Sequence, residues 1–278
     1  GQAAAPAAPA PPVTSFADVR GAVRIFNGRG GTIGVRASKS SLVVVDSQFP
    51  DTAKLCLDAV MKDRGERQLK LFNTHHHGDH TGGNKVFKDA GFEIWAHENV
   101  PALQKQAAEQ AKTLDAQVYA DETFPREMAY AQFEDEVGLK YYGPAHTGGD
   151  SVVHFVHENV VHMGDLVFNR RHPFIDRPGG ASVAGWMTVL DRTVKDHDAD
   201  TIYIFGHAGP NFPVTGNRAD LAYMRDYLSA LLDHVRGEMK AGKPRDVIIK
   251  GTAVLEKFPD HGPLIERVLS AAYDELAG

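Results

Sequence analysis

The sequence predicts one α/β domain in which layered β-sheets are covered by outer helices. Three observations support this prediction. Strand-like and helix-like segments are mixed in both halves of the 278-residue chain, and no internal linker separates the halves. The hydrophobic share of 42% and the charged share of 24% are those of an ordinary globular protein. Residues 15–278 are therefore assigned to a single domain.

Short β-branched segments punctuated by Gly and Asn open this domain, as strands joined by tight turns do. In chain order, the pattern predicts strands at Ala22–Phe26, Gly31–Ala37 and Ser41–Asp46, a helix over Asp51–Arg64, a strand at Leu69–Thr74, a short helix at Val86–Ala90 and a strand at Glu93–His97. The first helix is expected to place Leu55, Ala59 and Val60 on one face.

The second half begins with residues 98–136, which are rich in Ala, Gln and Glu and are predicted to form a mostly helical or irregular insertion over the body. The remaining pattern predicts hairpin strands at Ser151–Val156 and Asn159–Asp165, a helix at Ala184–His197, a strand at Thr201–Gly206, an amphipathic helix at Asn217–Met239 and two helical stretches after Lys243.

The amino-terminal segment "GQAAAPAAPAPP" is too rich in Ala and Pro to form a core, so residues 1–14 are predicted to be a disordered leader. Such a tract suits an exported protein whose signal peptide has been removed, which predicts a periplasmic or secreted location, with the cytoplasm as the alternative. No apolar run is long enough for a transmembrane helix.

The charge and cysteine content narrow the partners further. A net charge of −6 disfavours a nucleic-acid partner, which normally meets a basic surface. Cys56 is the single cysteine, so no intrachain disulfide is possible, and its apolar neighbours favour a buried, unreactive thiol. A small-molecule substrate is expected, whereas the oligomeric state has no sequence signal.

The stretch "NTHHHGDHTGGN" concentrates histidines and an aspartate directly after an apolar strand. On an extended segment, His75 and His77 share a face because side chains repeat every two residues. The glycine turn that follows can bring Asp79 and His80 to a neighbouring position. Imidazole and carboxylate donors so close together indicate a site for zinc, iron or manganese. His76 alternates to the opposite side and is interpreted as an outer-shell or packing residue.

The pattern His75-x-His77-x-Asp79-His80 resembles the signature of the metallo-β-lactamase superfamily, and the later motifs of that family follow in order. They are "AHTGGDS" with His146, "HMGDLVF" with Asp165 and "IFGHAGP" with His207. The resemblance covers roughly residues 22–210. It implies a four-layer αββα sandwich with a two-metal site at the sheet edge.

Carried over by position, the resemblance implies a complete set of ligands for two Zn²⁺ ions, with iron or manganese as alternatives. The first ion would be held by His75, His77 and His146, the second by Asp79, His80 and His207, with Asp165 bridging both. Seven donors exceed the needs of one tetrahedral zinc but suit two metals that share a carboxylate and a water.

The reaction implied is hydrolysis, in which a metal-bridging hydroxide attacks the carbonyl of a lactone, ester, thioester or amide. Asp79 is the predicted catalytic residue, because it can accept a hydrogen bond from the nucleophile and orient it. The absence of a G-x-S-x-G motif agrees with a reaction that needs no serine nucleophile.

The loop from Phe168 to Trp186 lies between two ligand motifs and is expected to wall the cleft. The residues predicted to bind substrate there are Arg170, Arg171, Phe174 and Trp186, with Arg177 and Phe168 as further members of the loop. Arginines would bind a carboxylate and aromatic rings would pack an apolar portion, which predicts a small anionic carbonyl compound. A solvated loop is the competing interpretation.

Other functions on the same scaffold stay open. An aspartate at 165 resembles glyoxalase II and lactonases, whereas zinc β-lactamases with a cysteine ligand carry Cys there; a zinc β-lactamase is nevertheless the main alternative. "HTGGDS" departs from the glyoxalase pattern. An iron-dependent dioxygenase, a tRNA-processing type of nuclease and a non-catalytic binding protein are weaker alternatives. Two zinc ions would favour the hydrolase and one iron the dioxygenase.

Overall fold

Two β-sheets packed face to face form the centre of the molecule in the computed structural model. The first sheet has the strand order β1-β2-β3-β4-β5-β6-β7. Its strands are β1 (Ser15–Arg20), β2 (Val23–Asn27), β3 (Ile33–Ala37), β4 (Ser41–Val45), β5 (Gln68–Phe72), β6 (Glu93–His97) and β7 (Glu122–Phe124). Strands β1 to β4 are antiparallel, and β4 to β7 run parallel.

The second sheet has the order β15-β13-β11-β10-β9-β8. Its strands are β8 (Glu127–Gln132), β9 (Asp135–Tyr141), β10 (Ser151–Phe155), β11 (Val160–His162), β13 (Ile202–Ile204) and β15 (Thr215–Gly216). A separate two-stranded pair joins β12 (Phe168–Asn169) to β14 (His207–Ala208). Only β11 and β13 are parallel in the second sheet.

Helices cover the outer face of each sheet. They are α1 (Pro50–Val60), α2 (Gly78–Thr81), α3 (Asn84–Asp89), α4 (Val100–Ala111), α5 (Val183–Asp196), α6 (Arg218–Lys240), α7 (Arg245–Ile248) and α8 (Glu266–Ala277). One apolar cluster packs α1 and α3 on the first sheet, another packs α5, α6 and α8 on the second, and a third fills the space between the sheets. These layers confirm the predicted αββα sandwich.

The structure describes residues 10–62, 65–132 and 135–278. The predicted leader lies largely outside this range, and so does the predicted end of the first helix at Arg64. Residues 10–14 form no helix or strand before β1 begins. In the described residues, no helix is both long and apolar enough to cross a membrane.

Two sequence predictions are wrong at the level of elements. The segment 98–136 is helical in α4, but it continues into β7, β8 and the start of β9, because β7 pairs with β6 and β8 pairs with β9 along its whole length. The buried face of α1 consists of Thr52, Ala53, Cys56 and Leu57, whereas Leu55 is 41% exposed.

The fold brings the ends of both sheets to one edge. Strands β4 and β5 are parallel neighbours, so Asp46 and the histidine stretch emerge side by side from the first sheet. From the second sheet, β11 leads into the turn that carries Asp165, and β13 leads into β14, which begins at His207. This edge is where the predicted ligands meet.

Candidate metal centre

The histidine stretch changes from extended backbone to one turn of helix within a few residues. His75 lies in a bend after β5, and His77, whose backbone is extended, is the residue immediately before α2. Asp79 and His80 lie inside α2, which turns their side chains to a different side from the two preceding histidines. One short stretch thereby supplies donors to two adjacent positions.

The first group of donors consists of His75, His77, His146 and Asp165. His77 Nδ1 lies 3.1 Å from His75 Nε2 and 3.0 Å from His146 Nε2. Asp165 Oδ2 lies 3.4 Å from His146 Nε2 and 3.9 Å from His75 Nε2. Three imidazole nitrogens and a carboxylate oxygen therefore surround one small volume, the donor set that zinc favours.

The second group consists of Asp79, His80 and His207. Asp79 Oδ2 lies 3.1 Å from His207 Nε2 and 3.5 Å from His80 Nε2. Asp165 also faces this group, with Oδ2 at 3.4 Å from His207 Nε2 and Oδ1 at 3.0 Å from His80 Nε2. The carboxylate of Asp165 thus stands between the two groups.

The burial of these atoms tests whether the residues suit metal ions. Asp165 is 4% exposed and His80 is fully buried. In the described part of the chain, His80 Nε2 and Asp165 Oδ1 are buried and have no hydrogen-bond partner with suitable geometry. Buried polar atoms without partners are costly unless something coordinates them. The donor set and its unsatisfied atoms fit a metal site.

The electrostatics of the two groups differ. Burial lowers the pKa of His75 and brings the pKa of His146 to about 3, so both imidazoles are neutral, the form that binds a metal. Burial opposes charge on His207 too, but the carboxylates of Asp165 and Asp79 outweigh it and raise the pKa of His207 to about 9. The carboxylates therefore attract positive charge to the second position.

A ring of outer contacts orients the donors. Asp46 Oδ2 lies 2.7 Å from His80 Nδ1 and accepts a hydrogen bond from Thr74 Oγ1, which in turn lies 3.0 Å from His75 Nδ1. Asp176 Oδ2 lies 2.9 Å from His77 Nε2. Such partners fix which ring nitrogen points at a metal.

Asp46 and Asp176 belong to the site but were not predicted from the sequence. The available signal for Asp46 was an acidic residue at the end of the apolar stretch "SLVVVD". Nothing comparable marks Asp176, because its role depends on how the loop before α5 folds back over His77.

Two further histidines near the centre belong to neither group of ligands described above. His76 is buried, and its Nε2 lies 3.3 Å from Asp176 Oδ2; with His77 these residues make a third, smaller set of donors. His162 Nε2 lies 2.9 Å from the carbonyl oxygen of Thr32. His162 thus joins β11 to the segment before β3.

Two of the predicted substrate-binding residues are engaged by neighbouring elements of the fold. Trp186 is fully buried, and its Nε1 donates to the carbonyl oxygen of Leu166, so its ring supports the site from behind instead of contacting substrate. Arg170 Nη1 lies 2.5 Å from Asp220 Oδ1, and its guanidinium stacks 4.0 Å from the centre of the Tyr223 ring. The burial of Trp186 contradicts its predicted contact with substrate, whereas substrate binding by Arg170 stays a prediction.

The other two residues lie at the cleft. Phe174 is 38% exposed, and the centre of its ring lies 5.3 Å from that of His77. Its carbonyl oxygen lies 2.7 Å from His146 Nδ1. Arg171 is exposed and lines, together with His207, a cavity of about 210 Å³ beside the second group.

The remaining arginine of the loop anchors it. Arg177 pairs with Glu275 of α8 at 3.1 Å, and the same carboxylate accepts hydrogen bonds from the backbone nitrogens of Val183 and Ala184 at the start of α5. Phe168 stacks on the His207 ring with the ring centres 5.3 Å apart. The cleft wall is therefore tied to both α5 and α8.

Comparison with known proteins agrees with this geometry. The profile of the Metallo-beta-lactamase superfamily matches residues 31–207, which includes all seven predicted ligands. The fold, the site and this match together define a metallo-hydrolase scaffold. The chain belongs to the metallo-β-lactamase superfamily.

Curated relatives match parts of the chain. A hydroxyacylglutathione hydrolase of Crocosphaera subtropica is 28% identical over 47% of this chain and 44% of its own length. A metallo-beta-lactamase type 2 of Elizabethkingia meningoseptica is 23% identical over 61% of this chain and 66% of its own length. This chain thus spans less than half the length of the first relative.

Solved structures show the same fold at low identity. The sec-alkylsulfatase Pisa1 from a Pseudomonas species superposes with a TM-score of 0.75 and 15% identity, over 96% of this chain and 50% of that one. The DIM-1 metallo-beta-lactamase superposes with a TM-score of 0.64 and 18% identity, over 78% of this chain and 97% of its own.

Proposed function

We propose that this protein is a hydrolase that holds two zinc ions and hydrolyses the acyl C–O, C–S or C–N bond of a small anionic lactone, ester, thioester or amide. The proposal rests above all on Asp165, whose single carboxylate faces both groups of donors while one of its buried oxygens has no hydrogen-bond partner in the described residues. One shared carboxylate between two nitrogen-rich groups suits a pair of metal ions.

The residues that would hold the metals are His75, His77 and His146 at the first position and Asp79, His80 and His207 at the second, with Asp165 between them. Zinc bound there would act as a Lewis acid and lower the pKa of a bound water to about 7. The neutral state of His75 and His146 suits this binding without prior loss of a proton.

Asp79 is the residue best placed to act on the attacking water. Its side chain is 29% exposed, whereas those of Asp165, His75 and His80 are almost completely buried. Burial raises its pKa, but the charges of His80 and His207 outweigh that effect and bring the pKa to about 2. Asp79 is thus an anion at neutral pH that can accept a hydrogen bond and orient a water.

The walls of the cleft would position the substrate. Phe174 offers an exposed apolar ring beside His77, and Arg171 offers a positive charge beside His207. Trp186, packed 5.5 Å from the His146 ring, keeps water away from the rear of the site. A compact substrate with an apolar portion and a negative charge suits these surfaces.

The test combines metal analysis with a hydrolysis screen. Purified, zinc-loaded protein is assayed against lactones, thioesters, β-lactams and phosphodiesters, and bound metal is counted. We expect two zinc ions per chain and hydrolysis of at least one carbonyl class. Asp79→Ala and His146→Ala should abolish the activity with an unchanged circular dichroism spectrum, while His157→Ala, at an exposed turn outside the motifs, should leave activity unchanged.

Each alternative function has its own signature in this experiment. One tightly bound iron and no hydrolysis would contradict the proposal and indicate a dioxygenase. Turnover of β-lactams alone would assign the chain to the activity that its Elizabethkingia relative is named for. Full activity in the Asp79→Ala variant would remove the proposed catalytic role.

A further inference from the structure

A second arginine stands at the cleft, and it comes from the last helix of the chain. Arg267 lies on α8, beyond the region that matches the superfamily profile. Its guanidinium carbon is 5.5 Å from the centre of the Phe174 ring, and the same ring lies 5.3 Å from that of His77. Phe174 therefore contacts both Arg267 and His77, a member of the first group of donors.

Arg267 contacts Phe174, which follows Arg171 by three residues on the same loop, so the two arginines lie in one region of the cleft wall. Burial lowers the pKa of Arg267, and the charge of Arg171 lowers it further. Within the described part of the chain, neither guanidinium forms a hydrogen bond or an ion pair, whereas Arg170 and Arg177 of the same loop are both paired with carboxylates. Two exposed positive charges in one region of the cleft, neither paired with a carboxylate of the described residues, favour the binding of an anion.

The helix that carries Arg267 is firmly attached to the loop that carries Arg171. Glu275, two turns further along α8, pairs with Arg177 and accepts hydrogen bonds from the first backbone nitrogens of α5. Val268 and Leu269, next to Arg267, are fully buried in the outer apolar cluster. The two guanidiniums are thus presented from fixed backbone, as a preorganised anion site requires.

We propose that Arg171 and Arg267 together bind an anionic group of the substrate, a carboxylate or a phosphate, while the scissile carbonyl lies at the metal centre and the apolar part rests on Phe174. This inference rests on the proposed hydrolase function and narrows it to substrates with a terminal anion. Guanidinium groups suit such groups because their planar donors match two oxygens at once.

The test uses esters that differ only in the remote end of the acyl chain. The probes are 4-nitrophenyl butanoate, which is neutral, 4-nitrophenyl hydrogen succinate, which ends in a carboxylate, and 4-nitrophenyl 3-phosphonopropanoate. We expect the wild-type protein to show a lower KM for one or both anionic esters. Arg267→Ala should raise that KM about tenfold without changing kcat or the KM of the neutral ester.

Two further variants and a binding measurement test whether the effect is specific to the Arg267 guanidinium and which anion binds. Arg267→Lys should recover part of the loss, because it restores the charge without the planar donors. Arg236→Ala removes an arginine about 24 Å along α6 from Asp220 and should change nothing. Binding of monomethyl succinate and of inorganic phosphate, followed by calorimetry, should weaken in Arg171→Ala and Arg267→Ala, and it identifies which anion is preferred.

The outcomes separate this inference from the function on which it rests. Anions that bind through Arg267 to a protein that hydrolyses none of the esters would leave the anion site standing and contradict ester hydrolysis. Equal KM values for neutral and anionic esters, with anion binding unaffected by Arg267→Ala, would overturn the anion site and leave the hydrolase in place.

Discussion

At the scale of single residues, Asp46 links donors of both groups although it is not one of the predicted ligands. Its carboxylate accepts hydrogen bonds from the backbone nitrogen and the hydroxyl of Thr74 and lies 2.7 Å from His80 Nδ1. Its backbone has a φ of 64°, in the left-handed region that Asp and Asn tolerate better than most residues. Asp46 therefore controls the orientation of donors in both groups.

Asp46→Asn is expected to weaken metal binding without unfolding the protein, since Asn tolerates the same backbone but carries no charge. Loss of an outer partner of this kind typically costs about 10–100-fold in metal affinity. Chelator competition measures the affinity, and circular dichroism monitors the fold. Asp51→Asn, an exposed acid at the start of α1, is the matched control. Equal affinities in the two variants would contradict the role of Asp46.

Close packing of glycine against the ligands gives a second prediction. A Cβ atom on Gly31 would lie 2.1–2.7 Å from three atoms of the His80 ring, which Asp46 and Asp165 hold in place. We expect Gly31→Ala to lose the second metal and about 1–3 kcal/mol of stability.

The control for Gly31→Ala comes from the histidine stretch itself. A Cβ atom on Gly78 would meet nothing within 4 Å, so Gly78→Ala should retain both metals and shift the free energy of unfolding by less than about 1 kcal/mol. Metal counting and denaturant unfolding distinguish the two variants. A Gly31→Ala protein with two metals and normal stability would show that His80 can move.

The sequence identified the ligand motifs because metal donors at fixed spacing are visible in the residue types alone. It did not predict the burial of Trp186 or the ion pair of Arg170, because a loop sequence does not reveal which side chains turn inward. The buried environment of Trp186 and the partner of Arg170, Asp220, are supplied by segments far away in the chain. Arg267 was missed for the same reason.

At the scale of elements, a buried ionic cluster joins the two sheets away from the metal edge. Nη1 of Arg36 in β3 lies 2.6 Å from Oδ1 of Asp135 in β9, and its Nε lies 2.9 Å from Oε1 of Glu158 in the turn between β10 and β11. The Arg36 side chain is only 6% exposed. Ser38, Ser40 and Ser41 also donate to Asp135. A buried charge with this many partners is strongly destabilising when one partner is removed.

This cluster predicts a defined pH dependence. Burial raises the pKa of Asp135, but hydrogen bonds from the serines and Arg36 outweigh it and bring the pKa to about 2, below the ordinary value of 3.8. A lowered pKa stabilises the fold above about pH 4, and that contribution is lost as the pH falls towards 2. Asp135→Asn should therefore lower the free energy of unfolding by about 3 kcal/mol at pH 7.

Denaturant titrations between pH 7 and pH 2 measure the effect. The difference between wild type and Asp135→Asn should shrink below pH 4, because protonation removes the same charge from the wild-type residue. Asp18→Asn, which breaks an exposed pair with Arg24, should change stability by at most about 1 kcal/mol. A difference between wild type and Asp135→Asn that is constant with pH would contradict the charged role of Asp135.

Some helices and strands could be predicted from the periodicity of apolar residues alone, and others could not. Strand β6 and helix α6 follow clear apolar patterns and were predicted to within about a residue at each end. Strand β8, "EMAYAQ", and the three-residue β7 carry little β-branched character, and they become strands because β9 and β6 offer them backbone partners. Tertiary pairing of this kind leaves little trace in local composition.

At the scale of the whole molecule, the candidate metal centre draws its donors from both sheets. His75, His77, Asp79 and His80 come from the edge of the first sheet, whereas His146, Asp165 and His207 come from connections of the second. Metals that bind these donors would bridge the sheets in the folded state and find no such arrangement in the unfolded chain. Metal binding is therefore expected to stabilise the entire domain.

Removal of metal should consequently lower the stability of the whole domain in one cooperative step. With free zinc at 100 times the dissociation constant, each site contributes about 2.7 kcal/mol, so removal of both ions by chelation should lower the melting temperature by about 10 °C. Added zinc should restore it in the wild-type protein but not in a His146→Ala, His207→Ala double variant, which lacks a donor in each group. A protein that contains two metals and melts at the same temperature after their removal would show that the sheets are held together without them.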